Sequence, residues 1–238
     1  MIMKKTIVLN LLLLLTLSVS GQKIKEPYAF KITQKSPEWA KISTGAEMVS
    51  VCQIPDSIIK SLTTSALAQT CLNYPLFFQH TALNDERKAI KEMINEFNGL
   101  RELSLREDGL KELIKLYKGI PVIKEKYLQS NSDDVPYKTI YLELILSSDI
   151  FMDKASENDL NEIKEAFLNK YTKKLDHQDI HSLYSIRKTL LLGSVVYLKQ
   201  NQFKTTRTTN TSKVNSFVNN FDTVNPNELT QISKIITQ

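Results

Sequence analysis

The sequence predicts an all-α fold, an array of short antiparallel or orthogonal helices compatible with a stack of helical hairpins. Three observations point there. Only 6 glycines occur in 238 residues. Runs of strand-like alternation are scarce. Helix starts and stops are frequent, and apolar residues recur behind them at three- and four-residue spacing.

The elements follow in chain order. Thr44-Gly-Ala-Glu47 has capping-box spacing ahead of Met48, Val49 and Val51. Pro55 suits the first turn of a short helix over Ile58, Ile59 and Leu62. Thr63 caps the next helix, through Leu67 and Cys71, which Pro75 interrupts. Asn84 starts a helix with Ile90, Met93, Ile94 and Phe97 on one face, and Asn98-Gly99 reads as its stop. Leu110, Leu113, Ile114 and Tyr117 line another helix, ended by Gly119 and Pro121.

After the loop QSNSDDVP, the stretch Tyr137 to Leu146 fits helix or strand by pattern alone. Its helical neighbours make it a buried helix. Ser156 caps a helix from Glu157 to Tyr171 with Leu160, Ile163, Phe167 and Leu168 inward. Asp176 caps a long helix to about Lys199. The polar, threonine-rich run QNQFKTTRTTNTSK then reads as an exposed linker over 201–213. Two short helical patterns, Val214 to Phe221 and Asn227 to Ile236, are divided by Pro226. The domain plan is an extended stretch over 22–35, a helical domain over 36–200, the linker, and short C-terminal helices over 214–238.

Ahead of these lies MIMKKTIVLNLLLLLTLSVSGQK. Lys4 and Lys5 precede an apolar run from Ile7 to about Val19, followed by Ser18, Ser20 and Gly21. This is the layout of a secretory signal peptide over residues 1–21, cut before Gln22. The alternative, a membrane anchor, is disfavoured because the run is shorter than the ~20 residues that span a bilayer. No cysteine lies near the junction to take a lipid. Export to the periplasm or beyond is therefore expected, with no membrane span after cleavage. Removing Lys4 and Lys5 lowers the net charge from +5 to +3. Lysines and acids are interleaved, as at Lys111, Glu112 and Lys115. Such a pattern reads as solvated helix faces and excludes a nucleic-acid groove.

HQDIH, residues 177–181, carries the most chemical-looking spacing. Two histidines four apart on a helix can ligate zinc, and zinc proteases add a glutamate general base beside the first histidine. Here Gln178 holds that place, and an amide cannot take the water's proton. Ile180, Tyr184, Leu191, Val195 and Leu198 define the buried stripe expected of this helix. His177 and His181 flank it, and read as two partly exposed polar residues beside a capping aspartate. They remain the only metal-ligand candidates, and no cofactor is expected. His80 could pair with Cys71 or Cys52 as a thiol catalyst, but no residue context supports an activated thiolate. Cys52 and Cys71, an even pair in an exported chain, are expected to form a disulfide. Tyr74, Phe77 and Phe78 cluster beside Pro75, as core where the chain turns or as a binding surface; core is the favoured reading. No complete catalytic set is found.

The run CQIPDSIIKSLTTSALAQTCLNYPLF, followed by FNGLRELSLREDGLKELIKLY, resembles the helical region of a group of uncharacterised secreted proteins from Bacteroidota. The resemblance covers roughly residues 36–200. In longer members that region precedes a cysteine-hydrolase-like domain, which has no counterpart here, so no catalytic residue carries over. The resemblance implies an exported, helical, non-catalytic module with a protein or glycan surface partner. The alternative is a hydrolase working through His177 and His181 with metal, or through a Cys-His pair. Asp56-Ser57-Ile58 and Asp222-Thr223-Val224 also resemble the acid-hydroxyl-apolar triplets that Bacteroidota O-glycosylate on exported proteins. Thr223, in the looser tail, is the candidate.

Overall fold

The computed structural model describes residues 23–78, 85–122, 134–202, 210–220 and 225–237. The leader, His80 and Thr223 lie outside the described residues. Among the described residues, twelve α-helices make up the fold, with no sheet. They are α1 (Gly45–Val51), α2 (Asp56–Ile59), α3 (Thr64–Leu72), α4 (Glu86–Glu96), α5 (Asn98–Leu105) and α6 (Gly109–Gly119). The second half holds α7 (Asp134–Leu146), α8 (Asp149–Met152), α9 (Glu157–Asp176), α10 (Leu183–Gln202), α11 (Asn210–Asn220) and α12 (Pro226–Ile236). Among the described residues, no helix is long and apolar enough to cross a membrane.

Capping chemistry sets most starts. Thr44 and Glu47 exchange bonds as a full capping box, and so do Ser156 and Asp159. Thr63 accepts from the amide of Ala66. Each occupies donors that the first turn cannot satisfy internally. A third box, Asn225 with Glu228, opens α12 behind Pro226.

Several boundaries differ from the pattern reading, each for a tertiary reason. The helix after Pro55 is a single turn and ends before Leu62. There Arg106 takes over, its guanidinium donating to the carbonyls of Ile59 and Leu62, both at 2.8 Å. Asn98-Gly99 does not end the helical path. Phe97 breaks it, and α5 begins at once. The Asn98 side chain is bound to the backbone of Ile54, accepting from its amide at 3.0 Å and donating to its carbonyl at 2.7 Å. Gly99 is small because Phe97 and Ile54 crowd it, not because the backbone turns there. Asp176 is the last residue of α9 rather than a cap for α10. Residues 177–182 form a turn, and Ser182 sits before α10, its hydroxyl accepting from the Ser185 amide at 3.4 Å.

The extended N-terminal stretch docks along α3. Ile24 pairs with Leu62 in an isolated parallel bridge, donating to Ser61 at 2.7 Å and accepting from Thr63 at 2.9 Å. The amide of Tyr28 donates to Thr70 Oγ1 at 2.8 Å. Phe30 joins Tyr74 and Phe97, whose rings stack at 4.0 Å.

The packing has a first half centred on α3, which meets α5 and α6, and a second half centred on α10, which meets α9, α7, α11 and α12. Helix α7 touches α3, α4, α6 and α10 and joins the halves. Its apolar residues cover every side, as does the Ile186–Val196 run of α10, and helices of that kind are buried. Val214, Phe217, Leu229 and Ile232 carry α11 and α12 into the same continuous core.

Gly193 lets α10 and α9 approach. A Cβ built there would lie 2.5 Å from the ring of Phe167, which is itself buried. Gly193→Ala should gain about 1 kcal/mol of helix propensity and lose more to overpacking, for a net destabilisation of about 1–2 kcal/mol in urea unfolding. An unchanged or raised midpoint would show that Phe167 can swing aside.

Candidate functional site

Chemistry-bearing side chains gather in two places, one buried and one at the surface. The buried one surrounds Glu143, the single charge in the apolar run of α7 and fully inaccessible. Lys174, from α9, donates to both of its carboxylate oxygens, at 3.1 and 3.0 Å. Thr189, from α10, donates to Glu143 at 2.8 Å and accepts from Lys174 at 2.7 Å. Tyr117, from α6, donates from its phenol at 3.1 Å. Four helices therefore meet on one carboxylate, with three donors on Oε1 and the Lys174 ammonium also on Oε2. Burial lowers the Lys174 ammonium below its usual range, and Glu143 opposes the shift.

One further cation stands at the rim of this network. Lys170 reaches the carbonyl of Ile120 and lies 4.9 Å from the centre of the Tyr117 ring. Burial, partly offset by Glu143, brings its ammonium down to about 8. A second buried ion pair lies on the other side of α10. There Lys188 donates to Glu86 of α4 at 2.6 Å, and Tyr184 donates to the same carboxylate at 2.9 Å. Lys188 and Thr189 are adjacent, about 100° apart on the helix, so α10 engages Glu86 and Glu143 in different directions. Neither pair was foreseen. The one available signal was the lone charge inside an apolar run at Glu143, in YLELIL.

The structure corrects the reading of HQDIH. The segment is a turn between α9 and α10, closed by the His181 amide donating to the His177 carbonyl at 2.9 Å, and not the first turn of a long helix. His181 is buried rather than partly exposed, while Ile180, expected in the buried stripe, is exposed. The ring nitrogen Nε2 of His181 lies 3.1 Å from the carbonyl of Val122. A carbonyl can only accept, so Nε2 carries a proton, and Nδ1 is buried with no hydrogen-bond partner among the described residues, which disfavours a second proton there. Burial first, and the Lys174 cation second, hold its pKa below the usual histidine range. Among the described residues, no group of three His, Cys, Asp or Glu side chains could hold a metal ion.

The expected disulfide is also overturned. Cys52 and Cys71 are free, fully buried and not near each other. Past Cys52 the chain is drawn to Asn98, which binds Gln53 as well as Ile54, rather than back toward α3. Cys52 lies by Tyr74, and Cys71 near Tyr141 and Arg106. Burial raises the Cys52 thiol to about 11 and that of Cys71 higher still. Such thiols behave as small hydrophobes, not nucleophiles.

Among the described residues, two surface grooves gather polar and aromatic side chains. The larger, about 440 Å³, lies between α4 and α8 and mixes Arg87, Lys88 and Lys91 with Asp85, Asp149 and Asp153. Four of its charges are paired: Arg87 stands 3.9 Å from Asp149, Lys88 4.0 Å from Glu92, and Asp153 pairs with Lys199. The smaller groove, about 270 Å³, lies at the end of α3 beside the start of α7. It contains the Tyr74–Phe77–Phe78 cluster and divides that expectation. Tyr74 and Phe77 are core, with Phe77 4.6 Å from the Tyr141 ring. Phe78 is 40% exposed and meets Tyr137, 42% exposed, edge to face at 5.3 Å. Lys138 donates to Asn73 at its edge, at 3.0 Å.

Comparison with known protein families, with curated proteins and with solved structures returned no match.

His181 supplies a pH test. Its folded-state pKa lies below the unfolded value of about 6.5. The unfolded chain therefore binds the proton first, and stability present above about pH 6.5 is lost as pH falls below it toward the folded value. The urea midpoint should fall between pH 7 and pH 5, and His181→Gln should flatten that fall. An identical pH profile in the variant would contradict a neutral, buried His181.

Proposed function

We propose that the protein is an exported helical binding module that catalyses nothing, and that its working surface is the groove at Phe78 and Tyr137. The observation that carries this reading is the exposed aromatic pair. Aromatic side chains at a surface offer large, stiff contact area with little entropy lost on binding, and they dominate recognition where they occur. Phe78 lines a concave site edged by Gln34, Lys35, Asn73 and Lys138, and Tyr137 packs edge to face against its ring. Concavity, apolar walls and a few polar groups are the usual makeup of a ligand site.

The groups with chemical potential elsewhere in the chain support the same reading. Glu143, Lys174, Glu86 and Lys188 are buried in mutual pairs, and both thiols are desolvated. The hydrolase alternative gains nothing from a histidine pair that sits in a turn with one ring buried.

Glycan and peptide arrays probed with the wild-type protein, Phe78→Ala and Tyr137→Ala test this. Both positions are partly exposed, so each variant should melt close to the wild type. At least one ligand class should be bound by the wild type and lost by Phe78→Ala. Ligands retained equally by both variants would place the working surface elsewhere.

A further inference from the structure

The charge around the small groove is unlike that of the rest of the surface. Elsewhere lysines and acids are interleaved, and in the larger groove Arg87 and Lys88 each have a carboxylate within 4.0 Å. The small groove is lined by Lys35 and Lys138, with no carboxylate among its lining residues. Lys138 donates one proton to the neutral amide oxygen of Asn73 and retains two. Lys35, also in the lining, is exposed in the turn that follows the N-terminal stretch held by α3. Among the described residues, the groove is thus lined by an aromatic wall and two cations with no carboxylate.

We propose that this groove binds a carboxylate-bearing sugar ring, a uronic acid within an acidic glycan. The inference rests on the binding-module reading and names its ligand. An anionic group is specified by the unbalanced pair of lysines, which lower the potential energy of a negative ligand and disfavour a positive one. A sugar is specified by the other polar groups. Thr33, Gln34 and Asn73 present a hydroxyl and two amides, which both donate and accept, as the hydroxyls of a sugar do. The C–H face of a pyranose suits the negative face of an exposed ring. An extended peptide would want an open sheet edge, and the only strand pairing among the described residues is the bridge of Ile24 with Leu62. At about 270 Å³ the site falls just below the range of drug-sized pockets, which fits one ring rather than a long segment.

Isothermal titration of the purified protein with trigalacturonate, and with the same trisaccharide methyl-esterified, separates the two requirements. Esterification removes the charge and keeps the rings. At low ionic strength the charged form should bind about fivefold or more tightly than the ester, and the preference should shrink as salt rises. The Lys35→Gln, Lys138→Gln double variant should bring that ratio close to one. Phe78→Ala should abolish binding of both forms while leaving the melting temperature in place. Equal affinity for the two forms overturns the anionic assignment, as does a preference that survives the double variant. Binding that survives Phe78→Ala overturns the location. Uptake of a triglutamate peptide in place of the sugar overturns the glycan assignment. If neither trisaccharide binds while the arrays yield another Phe78-dependent ligand, the uronate inference fails and the binding module stands. If the arrays also yield none, both fail.

Discussion

Glu143 is the constraint on which the second half of this protein depends. A carboxylate with no access to water must be paired and fully hydrogen-bonded, because the desolvation cost of an isolated buried charge exceeds what a small fold can bear. Lys174, Thr189 and Tyr117 meet that demand from three separate helices. Only one mutual arrangement of α6, α7, α9 and α10 brings all three to it. Apolar packing alone would tolerate small slides of one helix past another. A buried polar hub with directional bonds does not, so it fixes register as well as contributing energy.

The same logic explains why α10 can be buried nearly all round despite carrying Lys188, Thr189 and Ser194. Lys188 meets Glu86 and lies 4.2 Å from the centre of the Tyr184 ring, which ties α10 to α4. Thr189 ties it to α7 through Glu143. His181, in the turn before α10, holds the carbonyl of Val122, and Lys170 holds that of Ile120. The chain leaving α6 is therefore fastened by two ionisable groups beside the hub. Acid would place a third cation near Lys170 and Lys174, which is the origin of the expected sensitivity at His181.

The sequence carries the local part of this account and loses the part that depends on distant partners. Thr44, Thr63 and Ser156 announce their helices because a cap acts within three residues. The apolar spacing of Leu110 to Tyr117 announces α6 for the same reason. HQDIH misled because Asp176 is a plausible cap by residue type, while Ser182 is the one the fold uses. Asn98-Gly99 looked like a stop because its real constraints, Ile54 and Phe97, act through space. Lys174 and Lys188 follow the interleaved pattern of solvated lysines, and their partners lie 31 and 102 residues away. The surface groove was half legible. Pro75 marks where the chain turns and the aromatics gather, but the exposure of Phe78 against Tyr137 depends on α3 meeting α7.

The groove and the hub are linked through α7, which begins beside one and carries Glu143 at the other. A stable platform for Phe78 and Tyr137 thus requires α7 to be held in register, and the account assigns that task to the Glu143–Lys174 pair. A double-mutant cycle on this pair is the most direct measurement, using Glu143→Leu, Lys174→Met and both together in urea unfolding at neutral pH. Each single change strands a buried charge and should cost about 3–5 kcal/mol. The double change removes both charges and should cost clearly less than the sum of the singles, with a coupling of about 2 kcal/mol or more. Single losses below about 1 kcal/mol, or losses that simply add in the double variant, would contradict the claim that this pair holds the fold together.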